Sequence, residues 1–222
     1  MAYNLNFDWL SQAAEPIARG AVATVGLIAV TAVLGTVCSV LGAAAIRSRS
    51  PWLRRAVGSY VELIRNTPFL AQLFFIFFGL PSLGLRLDPA IAAILAMTIN
   101  LSAYGTEIVA AGLDAVPNGQ KEAGRALGLR PLRIFRHIIL MPALEAVFPA
   151  LSSQFILVVL GSSVISTISA EELTAIANNL QSQSFRPFEI YFTVGAMYIA
   201  MVLTFETIFA ALHRRLFPAR RA

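Results

Sequence analysis

Apolar residues in this chain come in long blocks, not in the short two-residue or three-to-four-residue alternations of a soluble protein. A helix needs about 20 apolar residues to cross the hydrocarbon core of a bilayer. Five segments approach that length: residues 21–46, 57–80, 89–113, about 137–160, and 188–212. The first half of the second segment is the more polar, and its second half, FLAQLFFIFFGL, is densely apolar. Between the fourth and fifth lies GSSVISTISAEELTAIANNLQSQSFRP, too polar to span. It reads as a re-entrant or surface segment with a short helix over 171–180. No internal repeat is visible. The pattern predicts one all-α membrane domain with five transmembrane helices and a charged loop between the third and fourth.

Composition supports this. Of the 222 residues, 57% are hydrophobic and only 13% charged, against about 25% charged in an ordinary soluble domain. The single cysteine, Cys38, lies inside an apolar run and is expected to be a small buried hydrophobe. The first 20 residues lack the basic start of a signal peptide and carry Asp8 and Glu15. A net charge of +5 could suggest nucleic acid, but its distribution points to a membrane. Arg47, Arg49, Arg54, Arg55 and Arg65 follow the first span. Lys121, Arg125, Arg130, Arg133 and Arg136 lie in the loop after the third, and Arg214, Arg215, Arg220 and Arg221 in the tail. Only Arg19, Arg86 and Arg186 fall on the other side. The positive-inside bias makes the first side cytoplasmic. Residues 1–20 are then an extracytoplasmic segment, 21–213 the membrane domain, and 214–222 a basic cytoplasmic tail. Topology accounts for the charge, and no nucleic-acid partner is called for.

The charged loop, residues 114–137, contains GQKEAGRALGLR. Its chemistry predicts two short helices meeting at a glycine. Asn118 can cap the first. Ala123, Ala126 and Leu127 share one face. Gly128 can take the left-handed conformation that ends a helix, and Pro131 suits the first turn of the next. Taken alone, the loop is compatible with docking a protein or with lying on lipid headgroups.

The residues themselves resemble a known signature. Glu122-Ala123-Gly124, three residues, Gly128, nine residues, Ile138 and then Leu140 resemble the EAA loop, EAA-x3-G-x9-I-x-L-P, of permease subunits in bacterial binding-protein-dependent ABC importers. Gly124 stands where the third letter is usually Ala. Met141 stands at the expected proline, with Pro142 one place later. ELIRNTP at 62–68, INLSAYGTEI at 99–108, GQKEA at 119–123 and FRPFE at 185–189 resemble the polar amino acid branch of the same superfamily. The resemblance implies a permease that pairs with a second copy or a paralogue. It implies a cytoplasmic ABC ATPase docked on Gly119, Glu122, Ala123, Gly124 and Gly128, and an extracytoplasmic solute-binding protein that delivers substrate. No catalysis is expected of the chain itself. A P-loop needs G-x-x-x-x-G-K-[ST], and the only lysine, Lys121, sits between Gln and Glu. No cofactor or metal is implied.

Polar residues within the spans are the candidates for a substrate path, because ionisable groups at membrane depth tend to face a bundle interior or a watery cavity. Asn100, Tyr104 and Glu107 are separated by four and three residues and so line one helical face. Glu107 fits pore lining or an interhelical hydrogen bond equally. Gln154 fits pore lining or helix glue, and Thr67-Pro68 can open or kink the second span. Glu62 and Arg65 are expected to form a structural pair or to contact headgroups, and Glu206 to reach the inner interface. An arginine and a Lys-Asp pair common in the polar amino acid branch are missing, with Ala110 and Leu160-Gly161 in their places. That leaves Glu107 relatively unopposed and favours a cationic amino acid or an opine-like amine. The rival class is a stand-alone secondary transporter or channel. Five spans without an inverted repeat, joined by a large charged loop, argue against it.

Overall fold

The computed structural model describes residues 5–218, and no strand occurs among them. Arg220 and Arg221 of the basic tail lie outside the described residues. Helix α1 (Leu10–Ile46) is followed by α2 (Pro51–Arg65) and α3 (Phe69–Phe74). A π-helical turn (Phe75–Gly79) and a 3-10 turn (Leu80–Leu83) continue α3. Then come α4 (Pro89–Ala115), α5 (Asn118–Ala126) and α6 (Pro131–Ile134). A second π-helical turn (Phe135–Ile139) carries α6 into α7 (Leu140–Gly161), which a 3-10 stretch (Ser162–Ile168) extends. Helices α8 (Leu173–Ser184) and α9 (Pro187–Leu216) complete the order. Four rods are long and apolar enough to cross a membrane: α1, α4, Pro131–Ile168 and α9. The pair Pro51–Arg65 and Phe69–Leu83, bent by 110°, is together long and apolar enough for a fifth if the two are one broken span.

Local chemistry explains the boundaries. Proline occupies the first turn of α2, α4, α6 and α9, where its missing N–H leaves no helical bond unmade. Asp88 caps α4 by accepting from the Ala90 N–H at 2.9 Å. Several sequence expectations are corrected. Helix α1 begins at Leu10, so at 37 residues and about 55 Å it runs well past the hydrocarbon core. The helix after Glu171 spans Leu173–Ser184, because the Glu172 carboxylate caps it through the Ala175 N–H at 2.6 Å. Cys38 is exposed, since it lies on the outward face of α1. Most consequentially, residues 57–80 are not one helix: the chain bends by 110° between Arg65 and Phe69.

Helix α1 packs most extensively on α4, and the two run parallel. Their seam is built from small residues, which bring helix backbones close where water supplies no driving force between helices. Gly35 lies against Leu101, Gly42 against Thr106, and Gly105 against Ser39. Beside them, Ser39 Oγ donates to the Gly35 carbonyl at 2.7 Å. On its other side α4 meets α7 antiparallel, with Gly112 against Ala143 and Val147. A ring cluster of Phe148, Phe209, His213 and Phe217 ties α7 to α9. At the opposite end, α8 caps the start of α1, where Thr24 Oγ1 accepts from the Leu173 N–H at 3.0 Å.

Two carboxylates at that end, Glu172 and Glu189, are fully buried. Glu172 accepts from the Tyr198 hydroxyl at 2.7 Å. Burial pushes its carboxyl above the ordinary range, against the hydrogen bonds that lower it. Glu189 holds the N-terminal segment by accepting from the Asn6 N–H at 3.1 Å, and it lies 3.6 Å from Arg186.

The seam generates a test. A β-carbon at Gly105 would lie 2.8 Å from Ser39 Cβ, which cannot rotate away. Gly105→Val is expected to lower stability by about 1–3 kcal/mol, read as a lower thermal midpoint of the detergent-solubilised protein. Gly26→Val, where nothing lies within 4 Å, is expected to leave the midpoint unchanged.

Candidate functional site

The break at residues 66–68 frees the carbonyls at the end of α2. Thr67 Oγ1 turns back to donate to the Leu63 carbonyl at 2.9 Å. The Gln72 amide nitrogen lies 2.7 Å from the Ile64 carbonyl, 3.0 Å from the Thr67 carbonyl and 2.8 Å from Thr67 Oγ1. Its oxygen accepts from Asn100 Nδ2 at 3.0 Å. The elbow is therefore pinned to the middle of α4 through one glutamine. Sequence reasoning missed Gln72. The available signal was its position as the one amide in the run FLAQLFFIFFGL.

One turn further along α4, the Tyr104 hydroxyl donates to the Arg65 carbonyl at 3.4 Å, and the Arg65 guanidinium lies over the Tyr104 ring at 5.5 Å. Arg65 forms an ion pair with Glu107. This overturns two expectations. Arg65 does not pair with Glu62, whose side chain is exposed, and Glu107 is not unopposed. Both residues lie on α2 ahead of the bend, and the way α2 packs on α4 brings Arg65 to Glu107 and leaves Glu62 exposed. The argument for a cationic solute from an unpaired Glu107 goes with it.

The stripe on α4 lines two cavities along its groove with α7. One, of about 90 Å³, is bounded by Asn100, Gln154, Phe69, Met97, Leu157, Val158 and Gly161. The other, of about 400 Å³, holds Arg65, Tyr104 and Glu107 against Ala146, Val147 and Ala150. Asn100 and Gln154 thus share one cavity and Tyr104 and Glu107 the other. Thr67 lines neither and acts within the elbow. Gln154 is buried and makes no hydrogen bond with any described residue.

The charged loop is a separate structure. Asn118 is the first residue of α5 and not its cap, because Pro117 takes the cap position with extended backbone; the Asn118 Oδ1 instead accepts from Lys121 Nζ at 3.4 Å. Gly128 has φ +70°. The Leu129 N–H donates to the Gly124 carbonyl at 3.1 Å and the Gly128 N–H to the Arg125 carbonyl at 2.9 Å, the Schellman pattern that closes a helix. Gly124 is buried, and a β-carbon there would sit 2.8 Å from Ile138 Cδ1 and 3.1 Å from Ile134 Cγ1. Its lack of a side chain seats α5 on the two isoleucines. Ala123, Ala126 and Leu127 face outward, with Leu127 77% and Leu132 76% exposed.

The profile of the binding-protein-dependent transport system inner membrane component matches residues 35–221. The chain belongs to that family. The permease is 37% identical over 183 residues to the octopine transport system permease protein of Rhizobium meliloti, covering 78% of this chain and 75% of the relative. It is 32% identical over 217 residues to the glutamine transport system permease protein of Escherichia coli K12, covering 96% and 99%. A crystal structure of an amino acid ABC transporter with histidines aligns with a TM-score of 0.90 at 32% identity, covering 96% of the permease and all of that chain. A methionine ABC transporter in an inward-facing conformation shares the fold, with a TM-score of 0.78 at 22% identity. The permease is accordingly a multi-pass inner-membrane subunit of a binding-protein-dependent importer.

The Arg65–Glu107 pair can be tested through its geometry. Arg65→Glu alone is expected to reduce assembled permease, and the exchanged double variant Arg65→Glu/Glu107→Arg to restore it. Both side chains are partly exposed, so the coupling in a double-mutant cycle is expected at about 0.2–1 kcal/mol. A coupling of zero would contradict the pair.

Proposed function

We propose that this permease forms the translocation path of an ATP-driven importer for an amino acid or a close derivative, and that α5 transmits the stroke of a separate ATPase. The observation that carries the coupling role is the outward face of α5. Ala123, Ala126 and Leu127 form a small apolar patch edged by Glu122 and Arg125. Gly124 seats its back on Ile134 and Ile138, at the root of α7. A force on Glu122, Ala123 or Gly119 reaches α4 through Pro117 and α7 through the Schellman turn at Gly128. Both walls of the cavity-bearing groove are then moved by one lever.

Asn100, Tyr104, Glu107 and Gln154 are the path-lining residues, and Thr67 holds the elbow. Arg65 and Glu107 present opposite charges side by side, which matches the carboxylate and ammonium of a zwitterion. The names of the octopine and glutamine relatives support an amino acid class of substrate. The path is completed by a second permease, identical or paralogous, and substrate arrives from an extracytoplasmic solute-binding protein. The basic residues support an N-terminus outside and a C-terminus in the cytoplasm. Lipid surrounds α9, of whose most apolar window only 11% is buried.

Two experiments test this reading. Glu122→Lys reverses the charge at the edge of the patch, and Gly128→Val strains a left-handed residue by about 1–2 kcal/mol. Both are expected to abolish uptake and weaken co-purification of the ATPase while leaving permease in the membrane; wild-type uptake and co-purification in both variants would refute the lever. For orientation, a cysteine placed at Ser82 or Gln183, in a protein with Cys38→Ser, is expected to label from outside intact cells. A cysteine at Arg130 is expected to label only after permeabilisation, and the opposite pattern would invert the topology.

A further inference from the structure

The Gln72 side chain has only one orientation that satisfies its neighbours. Its nitrogen lies within hydrogen-bond distance of the Ile64 and Thr67 carbonyls, which can only accept. The third neighbour, Thr67 Oγ1, directs its own proton at the Leu63 carbonyl and so accepts as well. The nitrogen must therefore face the elbow, and the oxygen must face α4. Asn100 can answer that oxygen only by donating its amide nitrogen, as it does at 3.0 Å. The Asn100 oxygen is left without a hydrogen bond to any described residue, on a side chain that lines the smaller cavity.

Gln154 faces Asn100 across that cavity. It is only 8% exposed and has no hydrogen-bond partner among the described residues. Buried amides in native proteins are almost always paired, so an unpaired one beside a cavity calls for a guest. The remaining wall is Phe69, Met97, Leu157, Val158 and Gly161. No charged side chain is among them, so an ionised group entering would lose water without meeting an opposite charge. At about 90 Å³ the cavity is smaller than the roughly 150 Å³ that accepts a benzene ring. It suits a side-chain headgroup and not a whole amino acid.

We infer that Gln72 is a positioning residue: it fixes the Asn100 amide oxygen toward the cavity shared with Gln154, making that cavity a subsite for the uncharged carboxamide end of a neutral polar amino acid. The carboxamide NH2 donates to Asn100 Oδ1, and its carbonyl accepts from the Gln154 amide nitrogen. A carboxylate of the same shape offers no proton to Asn100 and brings an unpaired charge. An ammonium donates but brings a charge too. The α-ammonium and α-carboxylate lie toward the larger cavity, where Glu107 and Arg65 stand. The inference rests on the reading of the α4–α7 groove as the substrate path.

The test separates the two readings. The permease is purified with its ATPase in lipid nanodiscs without the binding protein, and bound radiolabelled L-glutamine is displaced by unlabelled L-glutamine, L-glutamate or L-lysine. Glutamine is expected to displace the label at concentrations at least about tenfold lower than the other two, as one well-made hydrogen bond against a desolvated charge requires. Gln72→Met is expected to bring the glutamine-to-glutamate ratio near one, because Asn100 is then free to turn over. Asn100→Ala leaves the Gln72 bonds to the Ile64 and Thr67 carbonyls in place and is expected to do the same, which covers the case of a Gln72 variant that fails to assemble. Equal competition by glutamate in the unaltered complex would overturn the inference. So would an unchanged ratio in Asn100→Ala, or no saturable glutamine binding. If the complete importer still takes up amino acids in those cases, the path reading stands and only the subsite falls. Loss of all amino acid uptake by the complete importer would remove the path reading itself.

Discussion

Backbone groups at the depth of a bilayer have no water to turn to, so a break in a spanning helix is tolerated only where other groups of the protein satisfy what it frees. The bend between α2 and α3 interrupts a pair of helices that are together long and apolar enough to cross a bilayer, and Gln72 is the group that answers the carbonyls it frees. One buried amide binds two carbonyls and a hydroxyl of the elbow with its nitrogen. With its oxygen it takes hold of Asn100. Just ahead of the bend, the last residue of α2, Arg65, meets Glu107 and Tyr104. Without an amide at position 72, the Ile64 and Thr67 carbonyls would lose their donor and Asn100 its acceptor.

Helix α4 is held from three sides. Parallel α1 grips it through Gly35, Ser39 and Gly42, a seam of close helix–helix approach. Antiparallel α7 meets it at Gly112. Helix α2 adds the Tyr60 hydroxyl, which donates to the Ile99 carbonyl at 2.7 Å. Small residues face α1, and the polar residues Asn100, Tyr104 and Glu107 face the elbow and the groove. One helix thereby serves as both the structural centre and the lining of the cavities.

The coupling segment follows a different logic. It has little apolar burial of its own and depends on backbone chemistry: a proline before α5, a left-handed glycine after it, and a second proline opening α6. Within α5 and α6 the buried residues are Gly124 and Ile134, and they join the two short helices. Its shape is therefore held locally, while its outward face stays free for a partner.

Local properties of the chain determined a good part of this. The long apolar runs, the glycine turn at 128, the helix start at Pro131 and the break at Thr67-Pro68 are all written in neighbouring residues, because hydropathy and backbone conformation act over a few positions. The resemblance of the charged loop to the EAA signature located the family before any contact was known. The depth of the break was not legible, because a bend of 110° and a gentle kink leave the same Thr-Pro in the sequence. Nor were the partners of Arg65 and Gln72, or the exposure of Cys38. Glu62 and Glu107 were both available to Arg65, and only the rotation of α2 against α4 chose between them. Gln72 looked like one polar residue in an apolar run until the carbonyls it binds were brought beside it. A side chain's partner in a helical membrane protein is set by which helix faces are turned together, and that is decided by packing across the whole bundle.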